Sequence, residues 1–143
     1  MSARRPLAAV LAGGALLAAG CGSTTGNVSS ATFAQPEQKA VATAVKQLST
    51  SARKKDYSAI CSDQVAAPLV KRLDTARATG HCDDRMEESL RDVTATDLAV
   101  RDVRVSGATA VATVQSTGTG KSEPAQRLSW AKEGARWKLA GLA

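Results

Sequence analysis

Apolar residues recur along this chain in three rhythms. From Leu7 to Ala19 they form an almost solid run, between residues 36 and 93 they follow helical spacing, and from Leu98 to Leu139 they alternate with polar residues. In the helical part Val41, Val45, Leu48 and Ala52 stand at i, i+4, i+7 and i+11 behind Pro36, a residue suited to a first helical position. A helix over 36–52 is predicted, ended by Arg53-Lys54-Lys55, whose cations complement the carbonyl end of its dipole. Asp56 suits an N-cap for a second helix with Tyr57, Ile60, Cys61 and Val65 on one face. Pro68 predicts a break, followed by a third helix to about Thr79 carrying Leu69, Val70, Leu73 and Ala76. After Gly80 a short fourth helix groups Met86, Leu90 and Val93, with acids at its start and Glu87 and Arg91 paired at i, i+4.

The period changes at Asp97. Val103 and Val105 alternate, Ser106-Gly107 offers a turn, and Ala110, Ala112 and Val114 share a face of the returning strand. Leu98 and Val100 are one residue out of phase with Val103 and Val105, so a bulge near Arg101-Asp102 is expected. That turn sets Val103 against Ala110 and, through the bulge, Val100 against Ala112. A polar, glycine-rich connection spans 116–125. In the last hairpin a turn at Glu133-Gly134 sets Trp130 against Trp137 and Leu128 against Leu139, with both tryptophans on the core side. Helices first and strands second predict an α+β domain over 36–143, its N-terminal helices packed on a curved antiparallel sheet of about four strands.

The solid run carries a different message. Arg4 and Arg5 precede it and the small residues Ala18-Ala19-Gly20 end it at Cys21, the outline of a lipoprotein signal peptide over 1–20 with lipidation at Cys21. Its 13 residues are too few for a membrane span, which needs about 20. Pro6 after the arginine pair favours general secretion over the twin-arginine route. The polar stretch 21–35 then reads as a flexible tether, spanning on the order of 20 Å. The expected location is the cell envelope, on the outer face of the cytoplasmic membrane, with membrane lipid as the partner of Cys21.

Composition narrows the function. The net charge of +6 falls to +4 once Arg4 and Arg5 are removed, too small and dispersed to indicate a nucleic-acid partner. Three cysteines are an odd number for an exported protein. Lipidation of Cys21 leaves Cys61 and Cys82 as a pair able to form a disulfide in an oxidising compartment. A free Cys21 after ordinary signal cleavage, or an intermolecular disulfide, stays open because Ala18 stands where lipoproteins prefer Leu.

The order of elements, the stretch from Val103 to Val111 and the segment Leu128 to Leu139 resemble the nuclear transport factor two-like superfamily. More narrowly, they look like small exported lipoproteins of actinobacteria, which share the Gly134, Trp137, Lys138, Leu139 ending and a helix cysteine paired with a downstream one. The resemblance implies a sheet wrapped by helices into a cone-shaped cavity. Enzymes of that superfamily usually place an Asp, His or Tyr inside the cone, and the strands here contain no His or Tyr.

Other constellations lead to bland readings. His81 has no nucleophile to serve, and His81, Cys82 and a distant Cys61 fall short of the roughly four ligands of a zinc site. Asp83, Asp84, Glu87, Glu88 and Asp92 lack the spacing of a calcium loop. Gly118-Thr119-Gly120-Lys121-Ser122 lacks the first glycine of a phosphate loop, since Gln115 stands in its place. Arg101, Arg104, Arg127, Arg136 and Lys138 suggest a mildly basic outer sheet surface, which serves solubility and edge protection or meets acidic envelope polymers or a protein. The expectation is a non-enzymatic domain without cofactor or metal that binds a small ligand or an envelope protein. The competing readings are a cone-cavity isomerase or cyclase and a partner-binding module using the outer sheet face.

Overall fold

A computed structural model of the chain describes residues 31–75, 80–90, 97–117 and 124–143. Residues 1–20, expected to be a signal peptide, together with Cys21, Arg91, Asp92, Val93, the end of the third predicted helix and the loop containing Gly118–Ser122, lie outside the described residues. The order of elements is α1 (Pro36–Lys54), α2 (Tyr57–Ala59), a π-helical turn (Ile60–Gln64), α3 (Ala67–Thr75), α4 (Cys82–Leu90), then β1 (Asp97–Ser106), β2 (Thr109–Thr117), β3 (Gln126–Glu133) and β4 (Arg136–Leu142). The strands form an open antiparallel meander in the order β1-β2-β3-β4, so the domain is α+β.

The core is the contact of α1 with one face of this sheet. Val41, Ala44 and Val45 meet Val100 and Val103 of β1, Ala110, Ala112 and Val114 of β2, Leu128 and Trp130 of β3 and Trp137 of β4. Alanines at 44, 110 and 112 put little side chain between helix and sheet, and the two tryptophans fill the far side. Pro36 opens α1 as the sequence predicts. The helix runs to Lys54 and closes on Lys55 in the left-handed region at φ 57°, where the Lys55 and Asp56 N–H groups donate to the Ala52 and Ser51 carbonyls.

The bulge falls where expected, with Arg101 as the extra residue between Val100 and Asp102. Both hairpin registers differ from expectation. The turns are Gly107-Ala108 and Gly134-Ala135, one residue later than the sequence pattern suggests. Gly107 and Gly134 have φ of 59° and 60°, whereas Lys55 is the sole described non-glycine at positive φ. A glycine at the first central position is the type II′ arrangement, and it spares Ser106 and Glu133 the left-handed conformation a type I′ turn would impose. Moving a turn by one residue moves every partner by two. Val103 therefore faces Ala112, Val100 faces Val114 and Val105 faces Ala110. In the last hairpin Trp137 faces Lys132 and Trp130 faces Leu139, and a further register shift between Ser129 and Trp130 brings Leu128 against Leu142. Two residues is one full pleat period, so Trp130 and Trp137 still share the buried face.

The second predicted helix is shorter than expected. Asp56 caps it, its Oδ1 accepting from the Ala59 N–H at 3.1 Å, but α2 passes into the wider π turn and Val65 is already extended. Val65 leaves the helix to form a parallel bridge with Leu139, and the Ala66 N–H donates to the Leu139 carbonyl at 2.8 Å. The break thus precedes Pro68, which sits in the first turn of α3, where its missing N–H costs nothing.

Both sheet edges are covered. Val65, Ala66 and the Arg72 Nη2 bond to the Ala140 carbonyl cover β4. On the other side the Ala31 N–H donates to the Val100 carbonyl of β1 at 2.7 Å, and Phe33 packs on the core. Ala31 and Phe33, at the end of the stretch assigned to the tether, therefore lie against the domain. Unpaired edges invite pairing with other chains, and these contacts remove part of that hazard.

Candidate functional site

A half-open cleft of about 490 Å³ lies between α1, the π turn and the β3–β4 hairpin. Ala40, Thr43, Ala44 and Gln47 form its helix wall, Asp63 and Gln64 come from the π turn, and Trp130, Ala135, Arg136 and Trp137 from the hairpin. Its volume is that of a small-molecule site. The π turn shapes one wall: widening the helix there buries Ile60 and Cys61 and brings Gln64 back toward α1. The Gln64 Nε2 donates to Ser51 Oγ at 2.6 Å.

Two buried polar atoms of the lining residues lack partners. Trp130, only 1% exposed, keeps its indole Nε1–H unbonded, and the Gln64 Oε1 accepts nothing. Each such group costs about 1–3 kcal/mol relative to a satisfied one. The ionisable lining residues, Asp63 and Arg136, pair with each other at 3.5 Å and are mostly exposed.

Trp137 contrasts with Trp130. Its Nε1–H donates to Glu37 Oε2 at 2.9 Å, and the other oxygen of that carboxylate accepts from Lys132 Nζ at 2.8 Å. The Lys132 ammonium lies 5.8 Å from the Trp137 ring centroid, within cation–π range. The Lys132 and Trp137 hydrogen bonds hold the Glu37 carboxyl below its ordinary pKa. This clamp fastens the first turn of α1 to the hairpin beside the cleft.

Cys61 and Cys82 form a disulfide with Cα atoms 6.0 Å apart, joining the π turn to the start of α4. Asp83 lies close enough that its carboxylate and the two sulfurs fall within 4.8 Å of one another. The sulfurs are bonded to each other and offer no thiolate, so the trio is not a zinc set. His81 is exposed, and its backbone N–H donates to Asp84 Oδ2 at 3.0 Å in a capping arrangement at the start of α4. Asp83, Glu87 and Glu88 are exposed on α4.

The strand cations are less available than the sequence suggests. Arg104 pairs with Asp102 at 3.0 Å, Lys138 with Glu133 at 3.4 Å and Arg136 with Asp63, while Arg101 and Arg127 are exposed. Acids on the same strand or hairpin, and Asp63 from the π turn, thus offset part of the expected basic surface. Among the described residues no helix is long and apolar enough to cross a membrane.

Sequence reasoning singled out the two tryptophans as core and missed Glu37, Asp63 and Gln64. Glu37 reads as an ordinary first-turn acid, and no local pattern signals a partner one hundred residues away. Asp63 and Gln64 lie in the π turn, which has no periodicity of its own to recognise. The cleft sits on one flank of the α+β domain, bounded by α1, the π turn and the β3–β4 hairpin. No protein-family model, curated protein or solved structure matches this chain.

Proposed function

We propose that the chain is an exported, lipid-anchored binding protein whose domain holds a small neutral ligand in the cleft between α1, the π turn and the β3–β4 hairpin. One observation carries the reading: a ligand-sized cleft is walled by a tryptophan and a glutamine that each keep one buried hydrogen-bonding atom unpaired. Buried polar atoms in native folds are as a rule hydrogen-bonded, to protein, ordered water or ligand.

The address rests on the Leu7–Ala19 run, Cys21 and the disulfide, which accounts for the other two cysteines. Two or more acyl chains on Cys21 hold the domain at the membrane, each buried methylene contributing about 0.8 kcal/mol. Cys21→Ser is expected to release the protein from the membrane fraction; unchanged fractionation refutes the anchor. For the binding reading, a set of small neutral fragments is titrated into the ¹⁵N-labelled domain. Shift changes are expected at Thr43, Gln47, Gln64 and Ala135, and a cleft that responds to none of the fragments refutes it.

A further inference from the structure

We propose that the outer face of α1 is a membrane-contact surface, a row of cations that lies against anionic lipid headgroups and orients the anchored domain. The inference rests on the reading of Cys21 as a lipid anchor and adds the surface that the domain turns toward the bilayer.

The small net charge conceals an uneven division. Lys39, Lys46 and Arg53 are spaced seven residues apart, close to two helical turns, so they stand in one row along α1. Lys54 and the Lys55 cap extend the row at its C-terminal end, and all of these cations are exposed. The acid of α1, Glu37, is turned to the hairpin, where it binds Lys132 and Trp137. Arg53 pairs with Asp97 at 2.9 Å, whereas Lys39, Lys46, Lys54 and Lys55 have no ion pair among the described residues. The exposed acids Asp83, Asp84, Glu87 and Glu88 are gathered on α4 instead.

The point where the anchor segment joins the domain selects the partner. The Ala31 N–H is bonded to the Val100 carbonyl on the edge strand β1. Ten residues separate Ala31 from Cys21, a reach of at most about 35 Å. The cationic row leans to that same flank, since Gln38, Ser49 and Arg53 of α1 all bond to β1. Arg53 meets Asp97, which lies about 10 Å along the strand from Val100. Shape agrees with a planar partner. α1 is the layer above the sheet, so its outer row is a crest about 21 Å long from Lys39 to Arg53, not a groove for a polymer strand. Thr43 and Thr50 stand among the cations without a large apolar side chain, which places the contact at headgroup depth without insertion. Strand-binding surfaces pair cations with aromatic platforms, and here both tryptophans are buried. Near an anionic bilayer each such cation raises partition about fivefold, and a tether makes the encounter intramolecular. The cleft lies on the other flank of α1, toward β3 and β4, and stays open to solvent in this orientation.

The lipidated chain is reconstituted into vesicles of phosphatidylcholine, alone or mixed with phosphatidylglycerol. Its lysines are then acetylated from outside with an uncharged, water-soluble reagent, and the rate at each site is read by mass spectrometry. Lys39, Lys46 and Lys54 are expected to react about tenfold more slowly on the anionic vesicles. Lys71, exposed on α3 beside the opposite sheet edge, is expected to keep its rate. Salt at about 1 M, where the Debye length falls to about 3 Å, is expected to erase the difference. Lys46→Glu combined with Lys54→Glu is expected to return Lys39 to its rate on neutral vesicles, and Lys71→Glu to leave Lys39 slowed. These are exposed positions, and an unchanged unfolding midpoint checks that the fold is kept. Equal rates on the two kinds of vesicle, slowing at Lys71 as large as at Lys46, or slowing that survives the double substitution overturns the contact surface and leaves the anchor standing. Added DNA or polyglutamate that slows the same lysines on neutral vesicles as much as anionic lipid does assigns the row to a soluble polyanion and overturns the lipid assignment. A chain that carries no lipid and enters neither kind of vesicle removes the anchor reading, and this inference with it.

Discussion

The two halves of this domain are held together by different physics. The sheet and α1 share a continuous apolar interface in which Val41, Val45, Val103, Ala112 and Trp130 are almost wholly buried. Helices α3 and α4 have no such interface: α3 has no buried residue, and among the described side chains of α4 Cys82 is buried, whereas the π turn and the residues after it bury Ile60, Cys61, Val65 and Ala66. Leu69, Val70, Leu73 and Met86 are only half-buried there. Covalent and polar ties do the holding instead, through the Cys61–Cys82 disulfide, the Asp74 carboxylate accepting from the Cys82 N–H at 2.8 Å, and Arg72 reaching the Ala140 carbonyl. A small domain with few aromatics lacks enough apolar surface for two cores. The cleft lies where the two kinds of structure meet, with Trp130 from the first and Gln64 from the second.

Removing the main pillar of the first half tests the contrast most severely. Trp130→Ala is expected to lower stability by about 3–5 kcal/mol, measured by urea unfolding, since it empties a fully buried aromatic site. A loss below about 1 kcal/mol would mean that burial in the sheet core is not what chiefly holds this half together. The disulfide comes next. Replacing both cysteines by serine is expected to cost about 3 kcal/mol for a bridge across 21 residues. Hydrogen exchange is expected to quicken in 57–64 and 82–90 while β1–β4 amides keep their protection. A uniform loss of protection would show that the halves unfold together and would erase the distinction.

Smaller effects sharpen it at the seams. Lys55 closes α1 in the left-handed region at φ 57°, so Lys55→Gly is expected to raise the unfolding midpoint, corresponding to about 1 kcal/mol, and a decrease would mean that the Lys55 side chain matters more than its backbone. The Glu37 clamp is pH-dependent. Its folded pKa lies below the ordinary carboxylate value through its bonds to Lys132 and Trp137. The stabilisation is therefore fully present above the unfolded pKa of about 4.3 and disappears as pH falls through the lower folded value. Glu37→Gln is expected to be slightly less stable than the native chain at pH 7 and to converge with it in acid. A difference independent of pH would locate the effect in packing instead of charge.

Much of the core was legible one element at a time. The Val41, Val45, Leu48 stripe marked the buried side of α1, the phase change between Val100 and Val103 announced the bulge at Arg101, and the alternation around Trp130 and Trp137 marked their common face. Hairpin registers were not, because a glycine next to the turn is compatible with either central position until backbone twist selects one. The candidate site was least legible: it combines residues 40–47, 63–64 and 130–137, no two sets of which are neighbours in sequence.

By itself, then, the sequence determined the helix-then-strand order, the α+β class, the inward faces and the one cysteine pair available inside the domain. These follow from local periodicity and from counting, which need no knowledge of distant partners. Tertiary structure alone decided the π turn, the withdrawal of Val65 to bridge Leu139 and the capture of Trp137, but not Trp130, by a hydrogen-bond acceptor. Whether a polar atom finds a partner depends on groups brought together by packing, and that is settled only when the whole chain has closed around it.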